Sequence, residues 1–287
     1  MSASAVDLHL HSTASDGRLD PSALVAHVAA RGVRLMSLTD HDTIAGLAEA
    51  SAAADAAGIT CVTGIELSAV WRGRGIHILG YDFDPEAPAM GAMLAGQHDR
   101  RLSRARQIAA RLDRARAPGQ AALELALAAT PLPTRTHFAR ALAELGVAPD
   151  APTAFEQWLA RGRPGYVTGE WPTVAATVEC IVASGGAAVI AHPHRYTLSN
   201  GVRRELGTEF REAGGAGVEV ATGGANATQF DMCLSLAVRC GLEGSAGSDF
   251  HDPAVPWNPP GRLAKLPTSL RPVWRRFRAP AGCIEQA

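Results

Sequence analysis

The stretch Asp7-Leu8-His9-Leu10-His11-Ser12 decides the fold. From Val6 to His11 the side chains alternate and end in polar residues, and Asp20-Pro21 then opens an alanine-rich stretch closed by Gly32. That order predicts strand, loop and capped helix, one β/α unit. The pattern returns with Val33 to Asp40 as a strand, Thr43 to Ala57 as a helix with Gly58 beyond its end, and Ile59 to Leu67 as the next strand. Gly75 to Phe83 continues it.

From about Met90 to Arg163 the rhythm changes to helical segments without strands, among them Arg100 to Arg116 and Thr136 to Leu145. Alternation resumes with helix Thr173 to Ser184, strand Ala187 to Ala191, helix Arg203 to Ala213, strand Gly217 to Val220, helix Ala227 to Arg239 and strand Leu242 to Ser248. About seven β/α units result. The expected organisation is therefore an α/β barrel formed by residues 1–89 and 166–287, with a helical insert at 90–165.

At 287 residues and 47% hydrophobic composition, the chain is long enough to bury one large core. The net charge is −1, and nearly all 27 basic residues are arginine, Lys265 being the only lysine. So total arginine is no argument for nucleic-acid binding. The run Arg100, Arg101, Arg104, Arg106, Arg111, Arg114 and Arg116 is expected to form a solvated helix face, because interleaved aromatics for base stacking are lacking. Arg271, Arg275, Arg276 and Arg278 are expected on an exposed tail helix. Five widely spaced cysteines without a C-x-x-C suggest neither disulfides nor a thiolate metal site, and a reducing cytoplasm is expected. No basic N-terminal segment precedes an apolar core and no 18-residue apolar run occurs, so no membrane association is expected.

His9 and His11 project from one face of their strand, because side chains two apart point the same way. A lone His-x-His is weak, but the other strand ends carry the same chemistry: Asp40-His41-Asp42, Glu66, His192 and Asp249-Phe250-His251. In β/α barrels the catalytic groups come from these C-terminal strand ends. Imidazoles and carboxylates without thiolate suit Mn²⁺, Zn²⁺ or Fe²⁺ better than Ca²⁺, and there are more ligands than one ion needs. Two or three divalent ions are implied. Such a cluster polarises phosphoryl oxygens and stabilises a leaving oxygen, which is the chemistry of phosphate-ester hydrolysis.

At these residues the sequence resembles the polymerase and histidinol phosphatase (PHP) family, with D-L-H-L-H-S, S-D-G, T-D-H-D, G-I-E, H-I-L-G, A-H-P and G-S-D-F-H in order. The resemblance covers nearly the whole chain and implies a distorted seven-stranded, TIM-like barrel. By motif, one metal is expected on His9, His11, Glu66 and Asp249, a second on Glu66, His77 and His192, and a third on Asp16, His41 and His251. The resemblance puts manganese first among the candidate ions. Asp40, with His41 and His251, is expected among the catalytic groups, as a proton-handling or supporting carboxylate rather than a ligand.

Within the family the insert is similar to that of 3',5'-nucleoside bisphosphate phosphatases and the related 5'-3' exoribonucleases, through Arg135-Thr136-His137-Phe138-Ala139-Arg140 and Gly162-Arg163-Pro164-Gly165-Tyr166-Val167. Arg135 and His137 are expected to hold a phosphate that is not cleaved, with Arg163 and Arg195 as further candidates. The implied reaction is removal of the 3'-phosphate from a nucleoside 3',5'-bisphosphate. The alternatives are 5'-to-3' trimming of short RNA, hydrolysis of histidinol phosphate, and a catalytically silent regulatory module. A small nucleotide or an RNA 5' end is the expected partner, with no obligate protein partner. His27 and His98 read as ordinary histidines. His194 either extends the metal site or lines its pocket, and Glu219 either faces the site or is a satisfied core carboxylate. His194 and the segment Trp257-Asn258-Pro259-Pro260 depart from the family pattern.

Overall fold

A computed structural model describes residues 4–278. The chain is a mixed α/β fold that divides into two compact units, one running through Met93 and resuming at Pro172, the other spanning Leu94–Trp171.

In the first unit, β1 (Val6–Leu10), β2 (Leu35–Leu38) and β3 (Thr60–Val62) form a parallel sheet. A second sheet orders β4 (Gly64–Trp71), β5 (Arg74–Tyr81), β6 (Ala187–Ile190), β7 (Gly217–Thr222) and β8 (Glu243–Gly247). Strand β5 runs antiparallel to both β4 and β6, whereas β6, β7 and β8 are parallel. The two sheets are linked at both sides: the His11 N–H donates to Phe250 and that of Asp249 to His9 (3.0 and 2.8 Å), while the Glu66 N–H donates to Asp40 and that of Asp42 to Glu66 (3.2 and 3.0 Å).

Two expectations change here. Ile59 to Leu67 is not one continuous strand but β3 and β4 meeting at Thr63, and Gly75 to Phe83 is not a new β/α unit but the return arm of a hairpin. The break needs Gly64, where a Cβ would lie 2.0 Å from Ser37 Oγ. The helix expected from Thr43 begins instead at Leu47, because Asp42 has a left-handed backbone (φ 53°) and the Thr43 hydroxyl accepts from the Ala45 N–H, forming a turn.

Helices α1 (Pro21–Ala29), α2 (Leu47–Ala57), α7 (Val174–Ala183), α8 (Asn200–Glu212) and α9 (Ala227–Cys240) belong to this unit. Their ends follow local chemistry. Asp20 caps α1 by accepting from the Ala23 N–H at 2.7 Å, ahead of Pro21, and Gly58 closes α2 in the left-handed conformation. Along β1, Val6, Leu8 and Leu10 enter the apolar core, and period two sends Asp7, His9 and His11 to the other face.

The arginine-rich C-terminal segment is not a tail helix. A short 3-10 turn at Val273–Arg276 buries Val273, Trp274 and, just beyond, Phe277 in the core, while Arg271 and Arg276 pair with Glu243 and Arg278 with Asp82. The apolar residues between the arginines decide this. Cys61, Cys180, Cys233 and Cys240 are free; Cys283 lies outside the described residues. Among the described residues no helix is long and apolar enough to cross a membrane.

The second unit is all-helical and takes most of α3 (Pro88–Arg114), then α4 (Gly119–Ala129), α5 (Arg135–Glu144) and α6 (Ala151–Ala154), which runs into a π-turn at Phe155–Leu159. Ile108, Leu112, Leu123, Phe138, Leu142 and Leu159 form its separate core. Phe138 is fully buried there, so Phe138→Ala is expected to destabilise this unit by about 3–5 kcal/mol. Urea unfolding followed by circular dichroism checks this, and a loss under about 1 kcal/mol would contradict the core assignment.

Candidate metal centre

The face of β1 opposite its apolar side supplies the centre's first two imidazoles. His9 Nε2 and His11 Nε2 lie 3.1 Å apart, and both approach Glu66 Oε2 (3.4 and 3.3 Å) and Asp249 Oδ1 (3.3 and 3.2 Å). These four residues form one group with convergent ligand atoms. Gly247 allows it, since a Cβ there would sit 2.2 Å from His9 Cβ.

Two more groups adjoin the first. Asp16, His41 and His251 converge together with His11, with His251 Nε2 3.2 Å and His41 Nε2 3.9 Å from Asp16 Oδ1. The third joins His41 and His77 to Glu66, with His41 Nδ1 2.9 Å from Oε2 and His77 Nδ1 2.9 Å from Oε1. His192 Nε2 also reaches Glu66 Oε1, at 3.0 Å. Glu66 therefore sits inside β4 as the hub, between His77 and His192 on one oxygen and His9, His11 and His41 on the other. His11 and His41 each serve two groups, a sharing that the motif assignment did not contain.

The groups behind the ligands fix which nitrogen points inward. His9 Nδ1 donates to Glu219 Oε1 at 2.9 Å and His251 Nδ1 to the Asp249 carbonyl at 3.0 Å, so in the neutral rings Nε2 carries the lone pair. Glu219 also accepts the His192 N–H through Oε2 at 2.6 Å. Of its two readings, Glu219 is a carboxylate that faces the site and orients it. Asp42, His192 and Asp249 all have positive φ (53°, 28° and 54°), costly for side-chain-bearing residues. Each N–H is tied down: Asp42 to Glu66, His192 to Glu219 and Asp249 to His9.

The electrostatics suit a cation. Burial alone would strip charge from every group, yet the cluster keeps Glu66 and Asp249 far below the usual carboxylate range, through His41, His77 and His9 for Glu66 and through Arg195 and His9 for Asp249. Against the same burial penalty, Glu219, Glu66 and Asp249 push His9 upward, and Asp249 and Glu66 push His11 up to about 10. For His41 burial wins and lowers it to about 4. His192 Nδ1 is buried without a hydrogen bond, and His41 Nδ1 and Glu66 Oε2 are buried facing each other and the cluster's other imidazoles. Leaving such atoms unsatisfied is costly, and divalent ions satisfy this donor set of imidazole nitrogens and carboxylate oxygens.

Other expected residues fall elsewhere. Asp40 belongs to none of the three groups. It accepts from the Ser12 N–H (2.8 Å), the Ser12 hydroxyl (2.6 Å) and the Ser15 hydroxyl (2.5 Å), and so holds the loop that carries Asp16. Gly17 completes that loop, since a Cβ there would lie 2.3 Å from the His11 carbonyl oxygen. Arg195 pairs with Asp249 Oδ2 at the edge of the cluster. His194 is in none of the groups; burial, with Arg195 and His192 beside it, lowers it to about 4. His27 stacks on Phe250, and His98 is exposed beside Asp99.

In the helical unit, Arg135 stacks between Phe155 and Tyr166 (5.1 and 5.6 Å to the ring centres) and donates to the Leu159 carbonyl at 3.3 Å. His137 has a job the sequence reading missed: its Nδ1 accepts the Thr134 N–H at 3.1 Å, forming the capping box of α5. The Thr134-x-x-His137 spacing was the available signal. Arg163 is exposed in the turn after the π-turn.

Comparison with known proteins agrees with this geometry. The PHP domain matches residues 7–99, which hold every candidate ligand up to His77. A 5'-3' exoribonuclease of Haemophilus influenzae is 42% identical over 94% of this chain and 98% of its own. A 3',5'-nucleoside bisphosphate phosphatase of Chromobacterium violaceum is 41% identical over 96% of both chains. The solved structure of an amidohydrolase from Chromobacterium violaceum, with bound sulfate and no metal, superposes with a TM-score of 0.89 at 40% identity, covering 96% of each chain. With ligand motifs in the family's order and relatives matched along almost their full length, this chain belongs to the PHP family.

Proposed function

We propose that the chain is a metal-dependent phosphatase that removes the 3'-phosphate from 3',5'-bisphosphorylated nucleosides, for example adenosine 3',5'-bisphosphate to the 5'-monophosphate and phosphate. The observation that carries the reading is the sharing of Glu66 by five imidazoles. One ion cannot use so many ligands, and adjacent ions suit phosphate-ester hydrolysis. The phosphatase relative points to the same substrate.

Two or three divalent ions, manganese first, would be held by His9, His11, Glu66 and Asp249; by Glu66 and His77 with His41 and His192; and by Asp16, His41 and His251 with His11. When bound, such ions neutralise phosphoryl charge and make water acidic enough to attack at neutral pH. The chain's own groups do the rest. His41, His77 and His251 are the partly exposed imidazoles of the cluster and mark the side from which substrate enters. Proton delivery to the departing 3'-oxygen is assigned to this side, to His41 and His251, and Asp40 acts by fixing the Asp16 loop. Arg195, which pairs with Asp249, is assigned to the reacting phosphate, and Arg135, in the helical unit, is assigned to the 5'-phosphate, that unit being read as the substrate-binding cap. The bonds from β8 to β1 and from β2 to β4 support reading the strands as a distorted seven-position barrel in which β3 and β4 share one position. Free cysteines and the lack of a spanning helix among the described residues fit the cytoplasm.

A 5'-3' exoribonuclease is the second reading, favoured by the Haemophilus influenzae relative: a 5'-phosphate held by Arg135 would present the first internucleotide linkage in place of the 3'-phosphate. Histidinol phosphate lacks a second phosphate for Arg135, and a silent module would be expected to have lost ligands, whereas all nine are present here. The test is phosphate or nucleotide release from adenosine 3',5'-bisphosphate, a 5'-phosphorylated oligoribonucleotide and histidinol phosphate, in Mn²⁺ with and without a chelator. The bisphosphate is expected to turn over fastest and the chelator to abolish activity. Faster release from the oligonucleotide would replace the first reading with the second, and chelator-resistant activity would overturn both.

A further inference from the structure

Asp249 provides Oδ1 to the His9–His11–Glu66–Asp249 group from a left-handed backbone position, φ 54°. An aspartate needs outside support to stay there. Part comes from its own N–H, which donates to the His9 carbonyl at 2.8 Å. His251 Nδ1 donates to the Asp249 carbonyl at 3.0 Å, and a second donor to that carbonyl comes from a segment nine residues on that belongs to none of the ligand groups. The Asn258 Nδ2 amide donates to the Asp249 carbonyl at 2.8 Å and lies 3.4 Å from that of Ser248. Asn258 is 8% exposed.

Both ends of this strap are anchored. Asp7 accepts from the Ser248 N–H at 2.8 Å through Oδ1 and from the Gly261 N–H at 3.0 Å through Oδ2. The Gly261 carbonyl in turn accepts the Ser4 N–H at 2.6 Å. Behind the turn there is no slack: a Cβ on Gly223 would lie 2.0 Å from the Ser248 carbonyl oxygen and 2.9 Å from Asn258 Cβ. The amide orientation is fixed by its surroundings, because two carbonyls can be met only by the NH₂ end.

We infer that Asn258 is a positioning residue that holds the left-handed turn at Asp249 and thereby sets how tightly the His9–His11–Glu66–Asp249 group binds a divalent cation. This rests on reading that group as a metal centre. Asn258 touches neither substrate nor ion; it acts through Asp249. Truncation leaves the Asp249 carbonyl with the His251 donor alone and lets the residue relax toward ordinary backbone, carrying its carboxylate away from His9 and His11.

The experiment measures Mn²⁺ affinity of the full chain by competition with a fluorescent chelator, with thermal unfolding alongside, for wild type, Asn258→Ala, Asn258→Asp and Trp257→Ala. Trp257, 68% exposed on the same strap, is the control. Removing groups that orient ligands usually costs 10- to 100-fold, so affinity is expected to fall by about that factor in Asn258→Ala. Asn258→Asp, isosteric but presenting oxygen to two carbonyls, is expected to fall at least as far, and Trp257→Ala to match wild type. Excess Mn²⁺ is expected to restore turnover of folded Asn258→Ala, which a general loss of structure would not allow. The inference is overturned if both Asn258 variants fold and bind within about twofold of wild type, or if excess Mn²⁺ does not restore turnover. A wild-type chain that takes up no Mn²⁺ would instead overturn the metal-centre reading itself.

Discussion

Glu66→Gln is expected to lower kcat/KM by more than about 100-fold and to remove metal from the centre, while leaving the chain folded. Losing a group that merely orients a ligand costs 10- to 100-fold, and Glu66 is a ligand candidate in two groups at once. Its Oε1 lies about one hydrogen-bond length from His77 and His192, and its Oε2 is near His9, His11 and His41. Glutamine keeps the volume, so packing in β4 survives. It replaces one oxygen with an NH₂ that cannot bind a cation and points donor protons at ring nitrogens whose lone pairs a metal needs. Elemental analysis of the manganese-loaded variant, beside phosphate release from the bisphosphate, checks this. Wild-type metal content with wild-type turnover would remove Glu66 from the hub.

The same variant separates electrostatic from structural roles. Glu66 helps push His9 and His11 upward against their burial, so their retained protons compete with cation binding. Without Glu66 those imidazoles are expected to lose protons more easily, which an NMR titration of the metal-free variant beside metal-free wild type checks.

Much of this site was legible because strand periodicity is strict. Once Val6 to His11 is a strand, His9 and His11 must share a face, and Asp20-Pro21 must start a helix. The turns Asp40-His41-Asp42 and Asp249-Phe250-His251 were legible as strand ends for the same reason. What stayed hidden depends on contacts between distant segments. The stretch from Ile59 to Leu67 marks its break at Thr63 only by Gly64, whose meaning depends on how closely it meets Ser37 on β2. Nothing local says that Gly75 to Phe83 turns back against β4, so His77 looked like a residue inside an ordinary parallel strand although the hairpin brings it to Glu66. Glu219 reads equally well as a core residue until His9 Nδ1 is seen beside it. The C-terminal arginines suggested an exposed helix because charge dominates that segment, yet Val273, Trp274 and Phe277 decide its place. His137 shows a local rule overlooked: a polar residue in a matching motif was assigned to substrate, and the capping box of α5 also gives its Nδ1 a partner.

If Arg135 anchors the 5'-phosphate as proposed, Arg135→Ala is expected to raise KM for the 3',5'-bisphosphate by about 10- to 100-fold. That factor corresponds to losing charge-assisted hydrogen bonds worth about 1.5–3 kcal/mol. The guanidinium lies between Phe155 and Tyr166 and holds the Leu159 carbonyl, so its plane is set before any ligand arrives. A planar cation with several donors suits a phosphate, and preorganisation reduces the entropy lost on binding. Arg135→Lys keeps the charge but cannot stack in the same slot, so it is expected to recover less than half of the loss in binding free energy. His137→Ala is expected to act differently, removing the reciprocal half of the α5 capping box while the Thr134 cap stays, at a cost of up to about 1 kcal/mol in stability. The deciding comparison is a nucleoside 3'-monophosphate, which has no 5'-phosphate to anchor. Its turnover, expected to be slower, should be unchanged in Arg135→Ala, while turnover of the bisphosphate and of 5'-phosphorylated RNA falls together. Equal losses on all three substrates would mean that Arg135 supports the helical unit rather than the 5'-phosphate, and the preference for bisphosphorylated substrates would then need another source.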